Sequence, residues 1–209
     1  MRAQALSSGK AGEDMPAQRK GTTSAVYQLK VTLRDSKPPI WRRIQVPGDI
    51  TLHRLHQILQ VAMGWHDSHL HQFIVGDTYY GEPDPDTNAL GIFDMEVKSE
   101  GRARLMNVAP ADGSRFVYEY DFGDSWEHLV VVEKILPPEA GVHYPRCLAG
   151  KRACPPEDCG GIWGYSELLE ILHDPAHPDY AEMKEWIEPD FNSEVFSVEA
   201  INQTLSHLR

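Results

Sequence analysis

The sequence predicts an α+β protein. It reads as a single domain: a mixed or antiparallel β-sheet, one N-terminal helix packed on it, and a helical C-terminal part. Three observations carry this. Alternating apolar and polar residues recur up to Ile135, one amphipathic stretch between Thr51 and Gly64 interrupts them, and helical spacing takes over after Tyr165. A chain of 209 residues is long enough for one such domain with a sizeable core.

Residues 1–24 are rich in Ser, Gly, Lys and Ala, with almost no large apolar side chain. They cannot offset the entropy of ordering, so the sequence predicts a disordered tail, within which Met15 is a second candidate start. The single domain then spans 25–209. Tyr27, Leu29, Val31 and Leu33 alternate with polar residues and predict a strand. After Pro38-Pro39, a second strand carries Ile40, Arg42, Ile44 and Val46 on one face and Trp41 and Arg43 on the other. Thr51 is a suitable N-cap, the apolar residues Leu52, Leu55, Ile58, Leu59, Ala62 and Met63 follow at helical spacing, and Gly64 ends the helix. His53 and His56 flank its apolar stripe, either as surface residues or as a weak metal pair.

His69, His71, Phe73 and Val75 fall on one face of a predicted third strand, which turns at Gly76-Asp77. Two such histidines share a ligand or are hydrogen-bonded at a half-buried face. Residues 81–91 read as a loop. Phe116 to Ile135 predicts a hairpin turning at Phe122–Ser125. In that register Asp121 faces Trp126 and Glu119 faces His128, so all four share one face. The alternative is a plain cross-strand ion pair.

Tyr144 to Gly161, YPRCLAGKRACPPEDCGG, holds all three cysteines. Its prolines and glycines predict a loop rather than a helix or central strand. Six residues separate Cys147 from Cys154 and four separate Cys154 from Cys159. The second spacing suits structural zinc; the first is loose. One expectation is therefore a zinc ion held by Cys147, Cys154, Cys159 and His128. The other is three half-buried thiols in a loop pinned by proline and by Arg146, Lys151 and Arg152 pairing with Glu157 and Asp158. Three helices are predicted beyond it: Tyr165 to His173, a second opened by Pro178, and a last one capped by Ser197.

The formal charge is -11, and Glu157 to Glu199 holds twelve acids against one base, Lys184. That balance disfavours nucleic acid, although Arg34, Arg42, Arg43 and Arg54 offer a local basic strip. No apolar run is long enough to cross a bilayer, and no export signal opens the chain. With an odd number of cysteines, a cytoplasmic setting is expected. Phosphate-loop, dinucleotide and nucleophile-elbow motifs are all missing from the sequence.

The runs IWRRIQVPGDITLHRLHQILQVAMGW, SHLHQF, YEYDFGDSWEH and CLAGKRACPPEDCGG together resemble the Ri-plasmid (pRiA-type) open-reading-frame-three-like family, some members of which carry a TnpR or resolvase label as insertion-element passengers. The resemblance covers Tyr27 to the last helix. It implies one α+β domain without an established reaction, and polar motif positions at His69, His71, Asp121, Asp124, Trp126, His128, Cys147, Cys154, Glu157 and Asp158. Serine recombination needs a nucleophilic serine among arginines and a basic DNA-binding tail, which this acidic C-terminal half does not offer. Three functions stand open. One is a binding or accessory module with a ligand or protein in a groove between 116–135 and 144–161, near Trp65, Trp126 and Trp163. Another is a metal-dependent or hydrolase-like enzyme with His128 as base, Asp121 or Glu119 orienting it, and His69 and His71 close by. The third is a DNA-associated protein.

Overall fold

The structure is a computed structural model that describes residues 24–82 and 97–208. The predicted tail, apart from Ser24, and most of the predicted 81–91 loop lie outside the described residues. Eight strands among the described residues form one sheet: β1 (Val26–Leu33), β2 (Trp41–Pro47), β3 (His71–Val75), β4 (Thr78–Gly81), β5 (Val97–Ser99), β6 (Arg115–Tyr120), β7 (Trp126–Leu136) and β8 (Arg146–Lys151). Their order is β5-β4-β3-β6-β7-β1-β2-β8, antiparallel except for the β4–β5 pair. Among the described residues there are five helices: α1 (Leu52–Met63), α2 (Leu105–Val108), α3 (Gly161–His173), α4 (Tyr180–Trp186) and α5 (Val198–Leu205). No helix among the described residues is long and apolar enough to cross a membrane.

The core lies between α1 and one face of the sheet. Leu52, Leu55, Ile58, Leu59, Ala62 and Met63 are buried there against Leu29, Val31, Ile44, Phe73, Tyr118 and Val130. The helix begins and ends as its sequence requires. Thr51 Oγ1 accepts from the Arg54 N–H at 3.1 Å, and Gly64 takes the left-handed conformation at φ 100°. The opposite face of the sheet is polar and laced with pairs such as Arg43–Glu133 at 2.6 Å and Arg34–Glu127 at 2.5 Å. Arg54 bonds Gln57 and the Leu208 carbonyl, and Arg42 is buried. Each of the four arginines is therefore engaged by a partner within the chain, and they do not form a free basic strip.

Two expectations are corrected. The hairpin register is Tyr118↔His128, Glu119↔Glu127 and Tyr120↔Trp126, one residue away from the predicted pairing. The cause is Asp121, which leaves the strand at φ 59° and uses its Oδ1 to accept from Gly123 N–H at 2.9 Å. The turn thus takes in one more residue, and the one-residue slip sends Glu119 to the other face and takes Asp121 out of the strand. Glu119 accepts from Gln72 and Ser125 on the polar side, while His128 and Trp126 point into the core.

The 144–161 segment is also not all loop, because Arg146–Lys151 forms edge strand β8 on β2. Its outer edge is closed by Asn202 of α5, which accepts from Cys147 N–H at 2.7 Å and donates to Cys147 O at 2.9 Å. A side-chain amide thus stands in for a ninth strand and blunts an exposed edge. Ser197 caps α5 as expected, accepting from Ala200 N–H at 3.1 Å.

Candidate functional site

Beyond β8 the chain turns back over the hairpin. Glu157 Oε1 accepts from His66 N–H at 2.8 Å and from the Tyr120 hydroxyl at 3.0 Å. Trp65 Nε1–H donates to Pro155 O at 3.1 Å, and Gly160 N–H donates to Asp124 Oδ2 at 3.2 Å. Residues 152–160 therefore lie against the 121–125 turn and the end of α1. Arg152 pairs with Glu194 and Arg146 with Glu139, not with Glu157 or Asp158 as the sequence led us to expect.

Those two acids instead face His69. Its Nε2 lies 3.3 Å from Asp158 Oδ1, 3.8 Å from Asp121 Oδ2 and 3.9 Å from Glu157 Oε2. His69 does not share a strand face with His71, because β3 starts only at His71 and His69 sits in the bend before it.

His71 belongs to a second cluster. Its ring stacks on His56 with centroids 3.4 Å apart and planes 2° from parallel. His71 Nε2 bonds Glu100 Oε2 at 2.8 Å, and His53 Nδ1 bonds Glu100 Oε1 at 2.9 Å. His56 bonds Tyr118 Oη at 2.8 Å and Asp67 Oδ1 at 2.8 Å. Burial, together with the His71 charge, pushes the His56 imidazole down to about 4 against the pull of Asp67. Burial would raise the Glu100 carboxyl, but the bonds from His71 and His53 hold it below its ordinary value. Although His56, Asp67 and His71 bring three donor atoms within 4.8 Å, lone pairs in two parallel ring planes cannot both aim at one ion. Both His56 nitrogens and His71 Nε2 are also already bonded. We read this cluster as a hydrogen-bonded strut between α1 and the sheet.

His128 meets none of its predicted partners. Its ring is fully buried, its Nδ1–H donates to Tyr118 O at 3.1 Å, and its Nε2 has no hydrogen-bond partner among the described residues. The edge of Trp65 covers it at 5.1 Å between centroids. Burial pushes the imidazole down to about 4. No hydrogen bond joins it to Asp121, Glu119 or His69, so no base–carboxylate pair forms there.

The thiols are dispersed too. Among the described residues, the sets of three or more metal-capable atoms lying within 4.8 Å of one another contain no cysteine. Cys147 is buried on β8, and its Sγ contacts Ala149 O at 3.6 Å. Burial raises Cys147 and Cys154 above the ordinary thiol value, and burial with the Asp124 charge pushes Cys159 up to about 12. The expected grooveside aromatics Trp65 and Trp126 are core residues; Trp163 alone of the three is exposed.

The larger opening lies on the other side of the 152–160 loop. A cleft of about 640 Å³ is bounded by Trp65, Cys154, Pro155, Phe191 and Phe196, with Arg42 in its wall. It draws on none of residues 116–135. Arg42 is 2% exposed. Its Nε–H donates to Ala62 O at 2.7 Å, and Nη1 donates to Trp41 O at 2.9 Å and Lys151 O at 3.1 Å. Phe196 lies over the guanidinium at 4.7 Å. Nη2 makes no hydrogen bond among the described residues, and no carboxylate there pairs with the group. Burial lowers its pKa, an effect that the nearby Cys154 and Cys147 oppose. The strand alternation already placed Arg42 in register with Ile40, Ile44 and Val46; that was the signal for a buried cation. Glu100 carried no such local signal.

The family described as plasmid pRiA4b ORF-3-like protein matches residues 25–200. An uncharacterised protein, y4hQ, of Sinorhizobium fredii (strain NBRC 101917 / NGR234) is 39% identical over 186 residues, covering 88% of this chain and 93% of its own. A crystal structure of a protein of unknown function, MM3350, from Methanosarcina mazei Go1 is similar at a TM-score of 0.74 and 40% identity, covering 85% of this chain and 98% of its own. Neither description mentions a resolvase. On this coverage and identity, the chain belongs to the plasmid pRiA4b ORF-3-like family.

Proposed function

We propose that the protein is a binding module that takes a small molecule with an anionic head and an apolar body in the Arg42 cleft. The observation that carries this is the buried guanidinium with its Nη2 unbonded among the described residues, in the wall of a cleft with a broad apolar lining that Glu157 and Glu188 also border. Burying a cation costs several kcal/mol unless it is paired. Three carbonyls and the negative end of α1 offset part of that cost. A carboxylate, sulfonate or phosphate oxygen at Nη2 completes the pairing. Met63, Phe191 and Ile201 supply the apolar wall, and the volume is that of ordinary small-molecule sites.

The test uses anilinonaphthalene sulfonate and decanoate as probes, with decanol as the uncharged control. The wild-type chain is expected to bind one sulfonate probe saturably, displaced by decanoate and not by decanol. Arg42→Met keeps the stem and removes the head, and should weaken binding at least about tenfold, as for loss of a charge-assisted bond. Ala200→Trp fills the cleft from exposed α5 without touching Arg42 and should block the probe. Equal binding by all three chains, or decanol competing as well as decanoate, removes the proposal.

A further inference from the structure

We propose that His69, Asp121 and Asp158 form a divalent-cation site, with Glu157 behind them. Their ligand atoms lie within 4.8 Å of one another. The three belong to separate segments: the bend before β3, the hairpin turn and the 152–160 loop.

The cluster is more than a gathering of acids. In two of the carboxylates one oxygen is already held and the other is turned inward. Asp121 Oδ1 accepts from Gly123 N–H at 2.9 Å, while Oδ2 has no hydrogen bond and faces His69 at 3.8 Å. That side chain is 10% exposed. Glu157 Oε1 is held by His66 N–H and Tyr120, leaving Oε2 for the centre. Fixing one atom of a ligand to aim the other is how outer groups orient metal ligands. The His69 Nε2 atom is itself buried and without a hydrogen-bond partner among the described residues.

Protonating His69 does not resolve the cluster. One Nε2–H can serve one oxygen, and three carboxylates present theirs within 3.9 Å of it. The other oxygens would be left to solvent alone, which reaches the Asp121 side chain only in part at 10% exposure. A cation satisfies all of them. Two ligand atoms on one tetrahedral ion stand about 3.4 Å apart at ordinary bond lengths. The observed 3.3 and 3.8 Å separations need shifts of only a few tenths of an ångström. One imidazole with carboxylates and no thiolate suits Mn²⁺, Fe²⁺ or Zn²⁺. Asp158 is 71% exposed, so the site opens to solvent and leaves coordination positions for water or a ligand oxygen. None of the three ligands lines the Arg42 cleft, so this site stands or falls separately from the function proposed above.

The experiment uses the untagged full chain, stripped with a chelator and titrated with Mn²⁺, which thiols bind poorly. One ion per chain is expected by calorimetry and by electron paramagnetic resonance. Saturation should raise the melting temperature by roughly 5–11 °C when free cation exceeds Kd about 100-fold. Asp158→Asn at the exposed position and His69→Gln should each weaken binding about tenfold or more, with unchanged circular dichroism. Cys154→Ser should bind as the wild type does. Absence of saturable binding at millimolar Mn²⁺ and Zn²⁺ overturns the site. So does binding that survives both Asp158→Asn and His69→Gln, or that disappears in Cys154→Ser while the fold is kept.

Discussion

Replacing Gly164 by alanine is expected to destabilise the protein by about 3 kcal/mol, at the upper end for overpacking. A Cβ at Gly164 would lie 1.9 Å from the Cys159 carbonyl oxygen, which is backbone and cannot swing away. The neighbouring Gly161 makes the same approach to the hairpin, its Cβ position being 2.5 Å from Asp124 O at φ +67°. These two glycines let the first turn of α3 sit directly on the end of the 152–160 loop and on the 121–125 turn. The competing effect has the opposite sign, since alanine is better than glycine in a helix interior by roughly 1 kcal/mol. The clash outweighs it. Urea denaturation should show a lower midpoint with an unchanged slope, and a melting temperature lower by roughly 6–12 °C. A midpoint equal to or above that of the wild type would mean that α3 does not seat on the loop.

The second large effect is acid sensitivity. His56 and His128 are both held at about 4, below the ordinary imidazole value of 6.5, with burial the leading cause. In the unfolded chain both take up a proton as pH falls through 6.5; in the folded chain neither does until about 4. The unfolded state therefore binds more protons between these values, and stability drops as pH falls through that window. Near pH 5 the loss relative to pH 7 is about 2 kcal/mol per histidine. Below about 4 these two groups contribute no further slope. His128→Leu removes one of them and should roughly halve the loss. Denaturation curves taken across this range test it. Stability that does not change between pH 7 and 5, or a His128→Leu slope equal to the wild type, would show that His128 is not buried neutral.

The early part of the fold was legible because its residues satisfy several requirements at once. The β1 and β2 alternation, the Thr51 cap, the α1 stripe and Gly64 all point to the same boundaries. The hairpin was legible as a hairpin but not in register. Alternation alone does not show that Asp121 turns out of the strand and caps its own loop. That single residue decides whether Glu119 or Tyr118 faces His128. Strand β8 was hidden by the prolines and glycines around it, and its place is secured from a distance by Asn202.

At the site, His69, Asp121, Glu157 and Asp158 were all visible as polar motif positions, but their convergence depends on a loop reversal that no local pattern encodes. The thiols drew attention because cysteine is scarce in loops, yet the 152–160 segment brings its carboxylates, not its sulfurs, to the imidazole.

The 152–160 loop is proposed to divide a cation centre at His69, Asp121 and Asp158 from an anion cleft at Arg42, with Glu157 bordering both. One anomalous-scattering data set tests this division, from a crystal soaked with Mn²⁺ and a bromoalkyl carboxylate. A manganese peak is expected between His69 Nε2 and Asp158 Oδ1, and a bromine peak inside the cleft with the carboxylate on Arg42 Nη2. Manganese on the cysteines, or bromine outside the cleft with Arg42 unengaged, would contradict it.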